Sequence, residues 1–497
     1  MNIENANKVG QLTVLTSEWP STLGKIYQLE GGKLTKTTAG EMASGSYQVR
    51  QFDSVDAFVK LLLIVKTNQA ITASTPKAGE PEGRIVTKDN AKSQPGALSR
   101  TKDCLELKAR TPGVVILDYD PPDGGPVLGQ SELWTVVQCA VPEVVHAGVV
   151  WWCSSSSYIY HGETGEKYQG LRGQRLYLMV ADVSDCARFG ETLHRKLWLA
   201  GHGRIAISKS GQRLERGVFD VAMFEPARLD FAGGAECRPP LVQRRERPVV
   251  LSAGGFLDSR SALPTLSDAD QAKYESMLAR AKEKALPEAR EVHAKWKAER
   301  RGSFVERLVA GGMEREKAEK RAEATLDAAF GCCLVGNFML TLEGGEEVTV
   351  KEVLDNPERY HGLLTLDPLE PEYLNRKVVG KLYLRGANPT LFSFAHGGIT
   401  YRLQRGTVRM RVKPGGSAFL VGEILGFLGR EPDVFIYGGQ FCQVVSGKIR
   451  RLSRWGMMYL VSSRISFFKT MAKGVEIGAD LKQDVIEMLL SQAGAQA

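Results

Sequence analysis

The chain has 497 residues, 43% of them hydrophobic and 25% charged, enough for about two to four domains with their own cores and too ordinary a balance for wholesale disorder. No apolar run reaches the roughly 18 to 20 residues that cross a bilayer, and MNIENANKVG lacks the features of a secretory signal, so the reading excludes a membrane protein and places the chain in the cytoplasm. A net charge of +8 suits an anionic partner without requiring one, and the eight cysteines, with no CxxC pair, read as reduced, mostly buried thiols.

Residues 1–100 are expected to form an N-terminal α/β part. In it, DSVDAFVKLLLIVKTNQA reads as an amphipathic helix capped by Asp53 or Ser54, and the polar stretch 74–96 as a mobile loop. Residues 101–255 alternate strand and helix. TPGVVILDYD, VVHAGVVWWCSSSS and RLYLMV are β-branched or apolar runs. DCARFGETLHRKLWLAGHG has helical spacing, with Phe189, Leu193, Leu197 and Ala200 on one face and Gly201 at the C-terminal cap.

Residues 265–330 read as a charged helical linker that starts at a Ser267 cap, carries Asp268 and Asp270 in its first turn and is interrupted at Pro287. A smaller α/β unit is expected over 331–445, and two helices, LSRWGMMYLVSSRISFFK and DLKQDVIEMLLSQAG, over 446–497. The fold class is therefore α/β, of the α+β kind.

The sharpest chemical feature is VVILDYD. A side-chain period of two puts Asp118 and Asp120 on one face at a strand end closed by Pro121 and Pro122, where an edge open to solvent is expected and two carboxylates could share divalent cations. GLRGQRLYLMV puts Arg175, Tyr177 and Met179 on one strand face after a loop bearing Arg172 and Gly173. A fixed guanidinium beside such acids is what a triphosphate needs. A third acid, Asp220 or Asp230, lies in the strand-like run RGVFDVAMFEPARLDF.

This order, hhhDhD, then G-x-R-x-Y, then RKLWLAGHGRIAISKSGQRLERGVFDVAMFEPARLDFAGG, resembles the catalytic core of archaeo-eukaryotic primases (primase-polymerases) of plasmids, phages and integrative elements. The resemblance implies a primase-like core with an RRM-like sheet. Asp118 and Asp120 match its first, metal-binding motif. In its second, Gly173-Gln174-Arg175 puts Arg175 where histidine is usual. For the acid of the third, Asp220 is preferred, with Asp230 as a structural acid paired with an arginine. Residues 365–495, with DPLEPEY and LFSFAHGGITYRL, resemble more loosely the connector to a hexameric helicase. No G-x-x-x-x-G-K-[ST] occurs, so the motor is expected on a separate chain or in a missing C-terminal part.

The activity that the resemblance implies is template-dependent primer synthesis on single-stranded DNA in a mobile element or phage. Two Mg²⁺ or Mn²⁺ ions would be held by Asp118, Asp120 and Asp220, and Arg175 would grip the nucleoside triphosphate with help from Arg172, Ser208, Lys209 and Arg216. The competing readings are a noncatalytic replication-initiation or helicase-docking DNA-binding protein and a metal-dependent nuclease. His161, His202 and His396 read as locally hydrogen-bonded, and KIRRLSRW as the wet face of a helix.

Overall fold

The computed structural model describes residues 8–495 except 41, 123, 386–388, 396–397, 406–407, 414, 430, 432, 446–447 and 471–475. The chain is mixed α/β with many small sheets. It divides into two compact units: residues 1–205 with 215–281, and residues 206–214 with 282–497. Among the described residues no helix is long and apolar enough to cross a membrane.

The first unit opens with β1 (Gly10–Trp19), β2 (Gly24–Glu30), β3 (Lys33–Ala39), β4 (Ser44–Phe52), α1 (Val55–Ile64) and β5 (Gln69–Thr72). The Ser54 hydroxyl accepts from the Ala57 N–H, as a capping serine should. The helix stops at Ile64 with Val65 as its C-cap, short of the KTNQA tail of the segment that announced it, because the chain must turn to lay β5 antiparallel on β1. The stretch expected to be a mobile loop instead supplies β6 (Glu82–Val86), which pairs antiparallel with β4. Gly83 allows this, since a Cβ there would press on the Tyr47 ring.

The unit's centre is an antiparallel sheet of β7 (Gly113–Tyr119), β8 (Gly148–Cys153), β9 (Gln174–Val180) and β10 (Val249–Ala253), in the order β7-β9-β8-β10. Every residue of β7, β8 and β9 is buried, which is why their sequences, apart from Asp118, Gln174 and Arg175, run apolar without alternation. Helix α1 covers the face that carries Tyr177, with the Phe58 ring 5.3 Å from it edge-on. Helices α2 (Gln130–Ala140) and α3 (Cys186–Leu199) contribute to the same apolar cluster. On α3 the buried face holds Phe189, Leu193 and Leu197 as expected, whereas Ala200 lies outside it as the C-cap before Gly201, whose φ is +88°.

Between β9 and β10 the run RGVFDVAMFEPARLDF forms no strand among its residues from Gly217 onward. It makes a short 3₁₀ turn over Val221–Phe224 and one isolated bridge, Asp230 to Ile71. The Phe224 ring lies where a Cβ on Gly190 of α3 would fall, so the glycine lets helix and turn meet.

In the second unit, where the sequence suggested a charged linker, helices Leu286–Ala310 and Arg315–Phe330 bury Trp296, Phe304, Ala322 and Leu326 in a core shared with a five-stranded sheet. At the C-terminal end the first expected helix is Arg454–Arg464 only. Its apolar continuation is the strand Ile465–Thr470, and Lys448–Arg451 of the basic run is likewise a strand. The β-branched and aromatic residues after Arg464 explain the switch. Helix Gln483–Ala495 forms as expected.

Replacing Gly190 with alanine tests how the turn is seated. In an open helix the change would stabilise by about 1 kcal/mol. Here the Phe224 ring fills the space, and overpacking of about 1–3 kcal/mol outweighs that gain, so urea unfolding should show a net loss.

Candidate active site

Strand β7 carries its acids to the point where pairing ends. Antiparallel register sets Asp118 directly opposite Arg175, and their side chains share a face. The Arg175 guanidinium donates through Nη1 to Asp118 Oδ1 and through Nε to Asp230 Oδ1 at 2.9 Å. Two residues along the same face, the Tyr177 hydroxyl donates to Asp230 Oδ2 at 2.6 Å. Asp230 is held there by its backbone, which exchanges hydrogen bonds of 2.8 and 2.9 Å with Ile71 of β5. Only 1% exposed and with both oxygens engaged, Asp230 has the surroundings of a structural acid.

Asp220 arrives differently. Its backbone N–H donates to the Asp118 carbonyl at 2.9 Å, and its exposed carboxylate caps the 3₁₀ turn through the Ala222 N–H at 3.0 Å. Asp120, exposed beyond the end of β7, lies over Gly173. A Cβ built on that glycine would run into Ser154 Oγ, Asp120 Oδ1 at 2.7 Å and Ser156 Oγ at 2.8 Å. The serine cluster after β8 is stapled to this loop: the Gly173 N–H donates to Ser156 Oγ at 3.2 Å and the Arg172 N–H to Ser157 Oγ at 3.0 Å. Asp118, Asp120 and Asp230 thus act on one arginine and Asp220 acts on Asp118, although Asp118 is buried rather than open to solvent.

Electrostatics follow from this crowding. Burial pushes the Asp118 carboxyl up to about 7; Arg175 opposes the rise, while Asp120, Asp230 and Asp220 add to it by like-charge repulsion. Burial works against the charge of Arg175, but Asp118, Asp230 and Asp120 outweigh it and hold the guanidinium protonated. Burial and the Asp230 carboxylate raise the Tyr177 phenol well above its usual value.

The remaining expected residues are distributed unevenly. Arg175, assigned a grip on triphosphate, faces inward to carboxylates of the protein itself. Arg172 stays at the site, near enough to act on the Tyr27 phenol. Arg216 Nη1 donates to the Glu215 carbonyl at 3.1 Å. Ser208 and Lys209 belong to the second unit, and the Ser208 hydroxyl accepts from the N–H groups of Ser210 and Gln212 within its own turn. Among the histidines, His161 Nδ1 accepts from the N–H groups of Glu163 and Thr164; His202 is exposed; His396 lies outside the described residues.

Lys25 and Tyr27 of β2, which sequence reasoning missed, also act on this site. Asp120 and Asp118 raise the pKa of Lys25 against the larger lowering effect of burial, and Asp120 raises that of Tyr27. They precede the acid motif by about ninety residues, and no local pattern marks them.

The divalent ions implied by the resemblance can be tested against these donors. In kind they fit: hard carboxylate oxygens on Asp120 and Asp220, hydroxyls of Ser154 and Ser156 beside Asp120, and an excess of negative charge that keeps Asp118 hard to ionise. Among the described residues no three acid, histidine or cysteine side chains already stand as a metal-binding group, and Arg175 holds Asp118. No family model, curated protein or solved structure matches the chain.

The raised Asp118 pKa has a consequence for stability. The folded state holds this proton more tightly than the unfolded chain, so the contribution is fully present below about pH 4 and is lost as pH rises through about 7. Unfolding free energies measured across that window should fall for the wild type relative to Asp118→Asn. A wild-type curve that rises relative to the variant would contradict the assignment.

Proposed function

We propose that the chain is a template-dependent primase-polymerase that synthesises primers from nucleoside triphosphates in the replication of a mobile element or phage. One observation carries the reading: Asp118, Asp120 and Asp220, separated by up to a hundred residues of sequence, gather at the end of one central strand. Further support comes from the succession β7-α2-β8-β9-α3, in which β9 lies between β7 and β8 as in the split βαβ arrangement of RRM-like sheets; the last strand, β10, adds beside β8.

Mg²⁺ or Mn²⁺ held by Asp118, Asp120 and Asp220 would activate the attacking 3′-hydroxyl and stabilise the departing pyrophosphate. Arg175 acts as a positioning residue. By pairing with Asp118 and Asp230 together it keeps two buried carboxylates from repelling each other and fixes β7 against the bridge to β5. Gly173 keeps the floor beneath Asp120 open, and the serine cluster sets the path of the loop that carries Arg172. Template DNA would be held through its phosphates, with an affinity that falls as salt rises. A replicative helicase on another chain is the partner this reading implies.

The inward-facing Arg175 favours one second reading, a replication-initiation or helicase-docking protein that binds DNA without chemistry. Primer synthesis on single-stranded DNA with labelled nucleotides, run with Mg²⁺ and with Mn²⁺, separates the two. Extension products are expected from the wild type. Asp120→Asn and Asp220→Asn, at exposed positions, should lower the rate by more than about a hundredfold without loss of fold. DNA binding with no product in either metal would select the second reading.

A further inference from the structure

Strand β2 brings two polar side chains toward the acids from the N-terminal part of the unit. Lys25 and Tyr27, two apart on a strand, project from the same face. Tyr27 is 1% exposed in a small apolar cluster with Ile159, Ala235 and Leu241, yet its hydroxyl has no hydrogen-bond partner among the described residues. Buried hydroxyls are rarely left so, because burial without a partner carries the full cost of desolvation. Lys25 is half-buried, and its ammonium makes no hydrogen bond or ion pair with another described residue. Lys36, directly opposite Tyr27 in the β2–β3 ladder, is exposed.

We infer that Lys25 and Tyr27 form an anion site beside Asp120 and Arg172 that takes the phosphate chain of a nucleoside triphosphate. The inference deepens the polymerase reading and rests on it for the identity of the guest. The Lys25 ammonium and the Tyr27 phenol both lack an acceptor among the described residues, and the oxygens of a phosphate chain offer acceptors to both at once. Burial, helped by Arg175 and Lys36, presses the Lys25 pKa below its usual value against the pull of Asp120 and Asp118; an arriving anion would raise it again. The site explains why a tyrosine occupies a place where phenylalanine would pack equally well.

Titration calorimetry of the full chain with inorganic tripolyphosphate, without added metal, tests the site apart from catalysis. The wild type should bind. Lys25→Met should weaken binding by about tenfold or more and Tyr27→Phe by roughly three- to tenfold, with unfolding midpoints no lower than wild type. In primer synthesis the same variants should raise the KM for nucleotides more than they lower kcat. If the wild type makes primers while both variants bind and incorporate like it, Lys25 is only a counter-charge to Asp120, and the inference fails while the polymerase reading stands. If the variants lose tripolyphosphate but the wild type makes no primer, the anion site stands and the polymerase reading fails. A wild type that does not bind tripolyphosphate overturns the site outright.

Discussion

Two carboxylates, Asp118 and Asp230, are withdrawn from water against a single guanidinium, and the centre of the first unit is organised around that triad. Burying one carboxylate unpaired is prohibitive, and burying two side by side is worse. Arg175 makes both tolerable, and the register of β7 against β9 presents it to Asp118 without a detour of the chain. Because Asp230 also bridges β5 through its backbone, the same arginine ties the central sheet to the N-terminal one. Asp118 then stays close enough to Asp120 and Asp220 to feel their charge, which leaves an acid centre short of positive charge despite the arginine.

Around this triad, small residues decide what can approach. Gly190 admits the Phe224 ring, which seats the turn that Asp220 caps. Gly173 leaves the space that Asp120, Ser154 and Ser156 share. Neither position has a positive φ; what each requires is the absence of a side chain. The site's shape therefore depends on packing between elements distant in sequence, while its charge is set by four acids and a few cations.

Much of the frame was legible beforehand. Strands β7, β8 and β9 announce themselves as β-branched or apolar runs, Ser54 and Gly201 as caps, and Asp118 and Asp120 as a pair at a strand end. Less legible was anything set by long-range pairing. The polar stretch 74–96 lacks strand composition, yet β4 draws Glu82–Val86 into a sheet. The run after Arg464 keeps helical amphipathicity but pairs as a strand with Val408–Arg411. The sequence assigns Arg175 a grip on triphosphate because a fixed guanidinium beside acids suits phosphate. Its inward turn depends on Asp230, whose position follows from the bridge to Ile71 and not from any local pattern. Lys25 and Tyr27 were missed for the same reason.

The most direct measurement of this account is a double-mutant cycle on the triad, read by urea unfolding. Arg175→Met alone should cost about 3–5 kcal/mol, because two buried carboxylates lose their counter-charge. Adding Asp230→Asn, which removes one of those charges, should return part of that loss as a coupling of at least about 1 kcal/mol. A loss below about 1 kcal/mol for the single variant, with additive behaviour in the double, would show that the arginine does not hold the acids together.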